Sequence, residues 1–156
     1  MRLLLGSGGL RSEARRAVYY EEMARHFEGC AEVVFIPYAS SDHVEYSSNI
    51  ARFSEPSGVK LRGIETFADP VEAIEMAAGI YVGGGNTFLL TKGLHEHDLL
   101  DIVRKRVSEG MPYMGVSAGA NVACPTMQTT NDMPIVQPPS FETFALLPFQ
   151  INPHYH

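Results

Sequence analysis

Along this chain, short continuous apolar runs alternate with longer amphipathic stretches. That is the pattern of strands buried on both faces of a parallel sheet and of the helices that cover it. Leu3–Leu5 predicts a first strand, followed by a Gly/Ser turn. Ser12 caps a predicted helix running to about Phe27, with Gly29 just past its end. The stretch "EVVFIP" (Glu32–Pro37) is β-branched and aromatic and ends in proline, which predicts a second strand. A helix over Val44–Phe53 and a weaker strand over Lys60–Ile64 follow. In "DPVEAIEMAAG", Asp69 is the N-cap, Pro70 fills the first turn and Gly79 closes the helix. Ile80–Val82 predicts a strand that runs into "GGGNT". Thr87–His97 and Asp98–Glu109 predict helices, the second ended by Gly110, and Tyr113–Met114 opens another strand. From Cys124 onward Pro, Thr and Asn predict loops, up to a last strand near Phe149–Ile151. No repeat or linker interrupts this order, so residues 1–156 are expected to form one α/β unit with helices on both sides of a parallel sheet.

Composition narrows the classes. A chain of 156 residues, 45% apolar and 19% charged, can bury a core and matches a soluble globular protein. Its net charge of −6 argues against a general nucleic-acid or membrane-surface binder, although a local basic pocket for an acidic substrate fits within an acidic protein. The apolar run in "MRLLLGSGG" is too short for a signal peptide or a membrane span, so a cytoplasmic location is expected. Cys30 and Cys124 fit neither a metal pair nor a redox pair and are expected to be reduced thiols.

Chemistry concentrates at Gly115-Val116-Ser117-Ala118-Gly119, a G-x-S-x-G pattern between a predicted strand and a predicted helix. Such an elbow exposes the serine hydroxyl on a strained turn, and small neighbours are needed where the backbone doubles back. Alternatively, Ser117 is a small residue in a structural turn. "VGGGNT" (Val82–Thr87) likewise ends a strand and opens a helix, and its glycines let a ligand approach backbone amides. An oxyanion hole would pair an amide of Gly84 or Gly85 with that of Ala118. The same turn also suits a phosphate at a helix N-terminus, but it lacks the Lys-Ser/Thr of a P-loop and the G-x-G-x-x-G spacing; the other alternative is a plain tight turn.

A serine nucleophile needs a base. His154, in "FQINPHYH", follows the predicted last strand and is the best candidate, because the carboxyl ends of parallel strands face one crevice. His26 suits a helix C-terminus or a solvated position, and His43 lies in a polar loop. His95 and His97 fall on different helix faces, which disfavours a joint metal site, and His156 is a bystander. Asp132, in "TTNDMPIV", either lines a substrate pocket or is solvated in a turn.

"GVSAGANVACPTMQTTNDMPIVQPPSF", with "VGGGNTF", "FIPYA" and "QINPHY", resembles the peptidase E family of α-aspartyl dipeptidases from Met1 essentially to the end. The resemblance implies a three-layer, flavodoxin-like fold related to class I glutamine amidotransferases. It also implies a metal-free, cofactor-free serine hydrolase that cleaves small dipeptides with an N-terminal aspartate. By motif match Ser117 is the nucleophile, His154 the general base, and the turn Gly84-Gly85-Asn86 with the Ala118 amide the oxyanion environment. Asp132 is implied to help hold the substrate's amino group. Family members are longer, and the resemblance implies that the acid of the triad comes from beyond His154, so the unit is expected to lack the family's C-terminal third. A sheet so shortened is expected to leave a strand edge that invites association, including with a second copy. Three rivals remain: a weakly active or non-catalytic binding module, a β-aspartyl or cyanophycinase-like peptidase, and a cysteine amidotransferase, which the position of Cys124 in the helix after the elbow disfavours.

Overall fold

A computed structural model describes residues 1–155. Five strands, β1 (Leu3–Gly6), β2 (Val33–Ile36), β3 (Leu61–Gly63), β4 (Ile80–Val82) and β5 (Tyr113–Val116), form one parallel sheet in the order β1-β5-β4-β2-β3. Helices α1 (Glu13–His26) and α2 (His43–Ser54) cover one face; α3 (Pro70–Glu75), α4 (Thr87–Glu96), α5 (Leu99–Ser108) and the short α6 (Ala118–Asn121) cover the other. This is the expected three-layer, flavodoxin-like arrangement. Among the described residues, no helix is long and apolar enough to cross a membrane.

Strand periodicity divides the core in two. Val33 and Phe35 of β2, Tyr81 of β4 and Met114 of β5 turn toward Tyr19 and Met23 of α1 and Phe27 just past its end. Val34, Ile36, Ile80, Val82 and Tyr113 turn the other way, toward Ile74, Leu90, Leu94, Val103 and Val107. Successive side chains of a strand point to opposite faces, so "VVFI" serves both cores and is buried at every position. Strand β1 pairs with β5 alone and is only half-buried along its length; its other edge has no partner among the described residues.

Three sequence expectations change. The Asp69-capped helix stops at Glu75, four residues before Gly79. Gly79 is small for a different reason: a Cβ there would stand 2.9 Å from the Phe27 ring, so it lets the turn pack against α1. The strand expected near Phe149–Ile151 does not form, because its backbone is engaged by a loop and flanked by Pro148 and Pro153. Finally, α6 ends at Asn121, so Cys124 lies past the helix and not within it.

His26 is neither solvated nor a free helix-end cation. Its Nε2 lies 2.9 Å from the Tyr113 carbonyl, which can only accept, so Nε2 carries the proton. Arg2 donates to the His26 carbonyl at 2.6 Å, and Tyr113 N donates to the Arg2 carbonyl at 2.9 Å, tying the end of α1 to β1 and β5. Burial holds the imidazole pKa below its usual 6.5, Arg2 adds to the effect, and the Tyr113 carbonyl opposes it. The folded state therefore binds fewer protons here than the unfolded chain. The stability it contributes is complete above the unfolded pKa and is lost as pH falls below it. We expect the urea midpoint to drop between about pH 7.5 and about pH 5.5, and to drop less in His26→Gln, whose amide can still donate to Tyr113. Equal pH dependence in the two proteins would assign the effect to other groups.

Candidate active site

Strand β5 delivers the chain to Ser117, whose backbone sits at φ 56°, ψ −110°. This is a strained conformation for a residue with a Cβ, of the order of 1–3 kcal/mol. The surroundings hold it there. Ser117 N donates to the Gly6 carbonyl at the end of β1 at 2.7 Å, and the Ser117 carbonyl accepts from Ala120 N at 2.9 Å and Asn121 N at 3.0 Å. The flanking glycines are required by contact: a Cβ on Gly115 would overlap the Gly119 carbonyl, and one on Gly119 would overlap the carbonyl oxygen of Val82. Tyr113 Oη donates to that Gly119 carbonyl at 2.6 Å from the buried side of β5.

His154 reaches the elbow without a strand beneath it. The segment before it is fastened to the loop after α6. Gln150 Nε2 donates to the Thr126 carbonyl at 3.1 Å and to its hydroxyl at 2.7 Å, while Gln150 Oε1 accepts from Thr126 N at 3.3 Å. Ile151 N donates to Cys124 Sγ at 3.2 Å, and Thr129 Oγ1 donates to the Ile151 carbonyl at 2.5 Å. Asn152 Oδ1 then accepts from His154 N at 3.1 Å, turning the ring toward the serine. Nε2 of His154 ends 2.6 Å from Ser117 Oγ, within reach for proton transfer. Among the described residues no carboxylate meets its Nδ1.

The glycine turn lies against this pair. The Cα of Gly84 faces Ser117 so closely that a Cβ would stand 3.0 Å from the serine Cβ. Gly85, at φ +135°, passes the Ala39 backbone where a side chain has no room. Gly83 N donates to the Ile36 carbonyl and Asn86 N to the Ala39 carbonyl, whereas the Gly84 and Gly85 amides meet no acceptor among the described residues. Ala118 opens α6, where the first amides have no partner within the helix. The amides of Gly84, Gly85 and Ala118 thus have no acceptor among the described residues.

Asn86 and Asp132 hold the frame. Asn86 Oδ1 caps α4 through Phe88 N and Leu89 N at 3.0 and 3.1 Å, and its Nδ2 donates to the Met133 carbonyl at 2.8 Å. Asp132 is not solvated in a turn. Its Oδ2 accepts from Thr87 N at 2.8 Å and Thr87 Oγ1 at 2.6 Å, fixing its loop to the residue after the glycine turn.

The other described histidines meet partners of their own, away from the pair. His95 Nε2 meets the Glu142 carbonyl at 2.8 Å, His97 stacks on Tyr38, and His43 also lies against Tyr38. His156 lies outside the described residues. Cys124 is fully buried, and burial pushes its thiol pKa up against the smaller effect of the Ile151 amide, so it is a protonated structural thiol. A cavity of about 610 Å³ opens beside α1 over β1 and β5, but neither Ser117 nor His154 lines it. The dyad sits in the open: Ser117 is half-buried and His154 exposed. Sequence reasoning missed Thr129, Gln150 and Tyr46, whose hydroxyl donates to the Gly84 carbonyl at 2.5 Å. Only the neighbourhood of Thr129 and Gln150 to the named motifs signalled them; Tyr46 carried no local signal.

Residues 2–156 match the family model of peptidase family S51. The chain belongs to that family. It is 47% identical over 125 residues to peptidase E of Streptomyces coelicolor, covering 80% of this chain and 51% of that protein. It is 49% identical over 124 residues to a probable alpha-aspartyl dipeptidase of Drosophila melanogaster, covering 79% and 52%. The chain therefore spans about half the length of these two relatives. A crystal structure from Listeria monocytogenes ascribed to peptidase E superposes with a TM-score of 0.74 at 23% identity, over 95% of this chain and 76% of that one, which shows the shared fold.

Proposed function

We propose that this S51 chain carries the nucleophile, base and oxyanion amides of a cytoplasmic serine dipeptidase that removes an N-terminal aspartate. The observation that carries this reading is the 2.6 Å contact between Ser117 Oγ, on a strained elbow, and His154 Nε2. In the first step the Oγ proton passes to Nε2 as Oγ bonds to the aspartyl carbonyl carbon. The oxygen takes the negative charge, met by the Ala118 amide and those of Gly84 and Gly85. The C–N bond then breaks, and His154 returns the proton to the leaving amine. A water, deprotonated by Nε2, then attacks the acyl-serine; the ester C–O bond breaks, the proton passes from Nε2 to Oγ, and aspartate is released. No metal enters this sequence. Asp132, beside the turn, adds negative charge suited to the substrate's ammonium group.

The name of the Drosophila relative supports the substrate class, and the geometry supports the reaction type. With no carboxylate on Nδ1 among the described residues, the histidine tautomer is unfixed from that side. Where such an acid is absent, turnover falls by on the order of 10⁴. The assay compares α- and β-aspartyl dipeptides of the same second residue. We expect kcat/KM to favour the α-linked peptide. A preference for the β-linked one would replace the substrate assignment with an isoaspartyl activity while keeping the nucleophile.

A further inference from the structure

The glycine turn has three consecutive residues without side chains, so its peptides can rotate at little cost unless something holds them. One side chain does. Tyr46, on α2, donates its hydroxyl to the Gly84 carbonyl at 2.5 Å. Its ring stands edge-on to Phe35 at 5.2 Å, and Phe35 is fully buried against Tyr81, so the phenol is aimed by the core. The hydroxyl and the Phe35 ring fill the space where a Cβ of Gly83 would lie, at 2.6 and 2.7 Å.

We propose that Tyr46 is a positioning residue for catalysis: by holding the Gly84 carbonyl, it keeps the N–H of the Gly84–Gly85 peptide turned to the oxyanion. In a planar trans peptide the C=O and the following N–H point in opposite directions, so a carbonyl held by Tyr46 directs the Gly85 amide away from Tyr46. That amide meets no acceptor among the described residues, while its neighbours at Gly83 and Asn86 are occupied. A short bond at the carbonyl also polarises the peptide and strengthens its N–H as a donor. Burial, with Tyr19 nearby, pushes the Tyr46 pKa up to about 12, so the phenol remains a donor across the working pH range.

The inference rests on the reading of Ser117 as an acyl-transfer nucleophile, and its test separates the two. Tyr46→Phe keeps the ring on Phe35 and removes only the hydroxyl, and its unfolding midpoint is measured beside the parent's. The readout is the rate at which a fluorophosphonate labels Ser117, which needs an activated serine and oxyanion stabilisation but no aspartyl recognition. We expect labelling to slow by about 10- to 100-fold, less than the loss from deleting an oxyanion donor outright. With an aspartyl dipeptide, kcat should fall by a similar factor at nearly constant KM, as for an interaction made only in the transition state. Parent-like labelling in Tyr46→Phe overturns the role of Tyr46 and leaves that of Ser117 standing. A rise in KM at unchanged kcat overturns it too, because Tyr46 would then act in binding. No labelling of the unsubstituted protein overturns the reading of Ser117, and this inference with it.

Discussion

Ser117→Ala is expected to bring aspartyl-dipeptide hydrolysis down to background and to abolish fluorophosphonate labelling. Loss of the attacking serine of a hydrolase costs on the order of 10⁶ in kcat. The physical reason is local. Among the described residues only Ser117 Oγ lies within hydrogen-bond reach of His154 Nε2, and the elbow's other side chains, Val116 and Ala118, offer no nucleophile. Removing Oγ leaves the backbone bonds from Ser117 N to Gly6 and from Ala120 N and Asn121 N to the Ser117 carbonyl in place, so folding should be unaffected. Ser117→Gly adds a second measurement. Alanine keeps the Cβ that makes φ 56°, ψ −110° strained, whereas glycine adopts positive φ freely. We expect Ser117→Gly to be equally inactive but more stable than the parent by about 1 kcal/mol. Turnover within about tenfold of the parent in either variant would place the nucleophile elsewhere.

Gly119→Ala is expected to be the most destabilising single-methyl change in the site. The added Cβ would overlap the carbonyl oxygen of Val82, in the central strand β4, and neither backbone can give way without disturbing the sheet. Overpacking of this kind costs roughly 3 kcal/mol, a fall in unfolding midpoint of about 6–12 °C for a domain of this size. Gly29→Ala serves as the reference. Gly29 has positive φ at 85° but open space around it, so it should lose only the conformational part, about 1 kcal/mol. Chemical denaturation of both variants checks the contrast. Equal losses would mean that the elbow relaxes around the methyl group and that contact with β4 does not set the requirement for glycine.

These two residues mark how far the sequence could be read. Small residues around a serine, between an apolar run and a helix, announce an elbow, and the structure supplies the contacts that make them small. The helix caps at Ser12 and Asp69 were legible because capping is settled within three residues of chain. The strand expected at Phe149–Ile151 was not, because a strand is defined by its neighbour. Here the backbone of Ile151 bonds to Cys124 and Thr129, more than twenty residues away. His154 does meet Ser117, but not by the route the sequence suggested. The geometry that brings it to Ser117 is a loop laced to a loop, and not the end of a sheet strand.

Asp132 and Tyr46 show the same limit from the side of function. The sequence left Asp132 between pocket and solvent; the fold places it on Thr87, at the start of the helix that the glycine turn opens. Tyr46 is one tyrosine in a helix and comes to matter only because α2 packs where its hydroxyl meets Gly84. By itself, the sequence determined the alternation of strands and helices, the elbow, the glycine turn and the candidate base, since each is written in local periodicity or in a short motif. Only the tertiary structure decided which amides stay free, what carries His154, and which side chains hold the turn. Those depend on hydrogen bonds between residues tens of positions apart, and no local pattern encodes them.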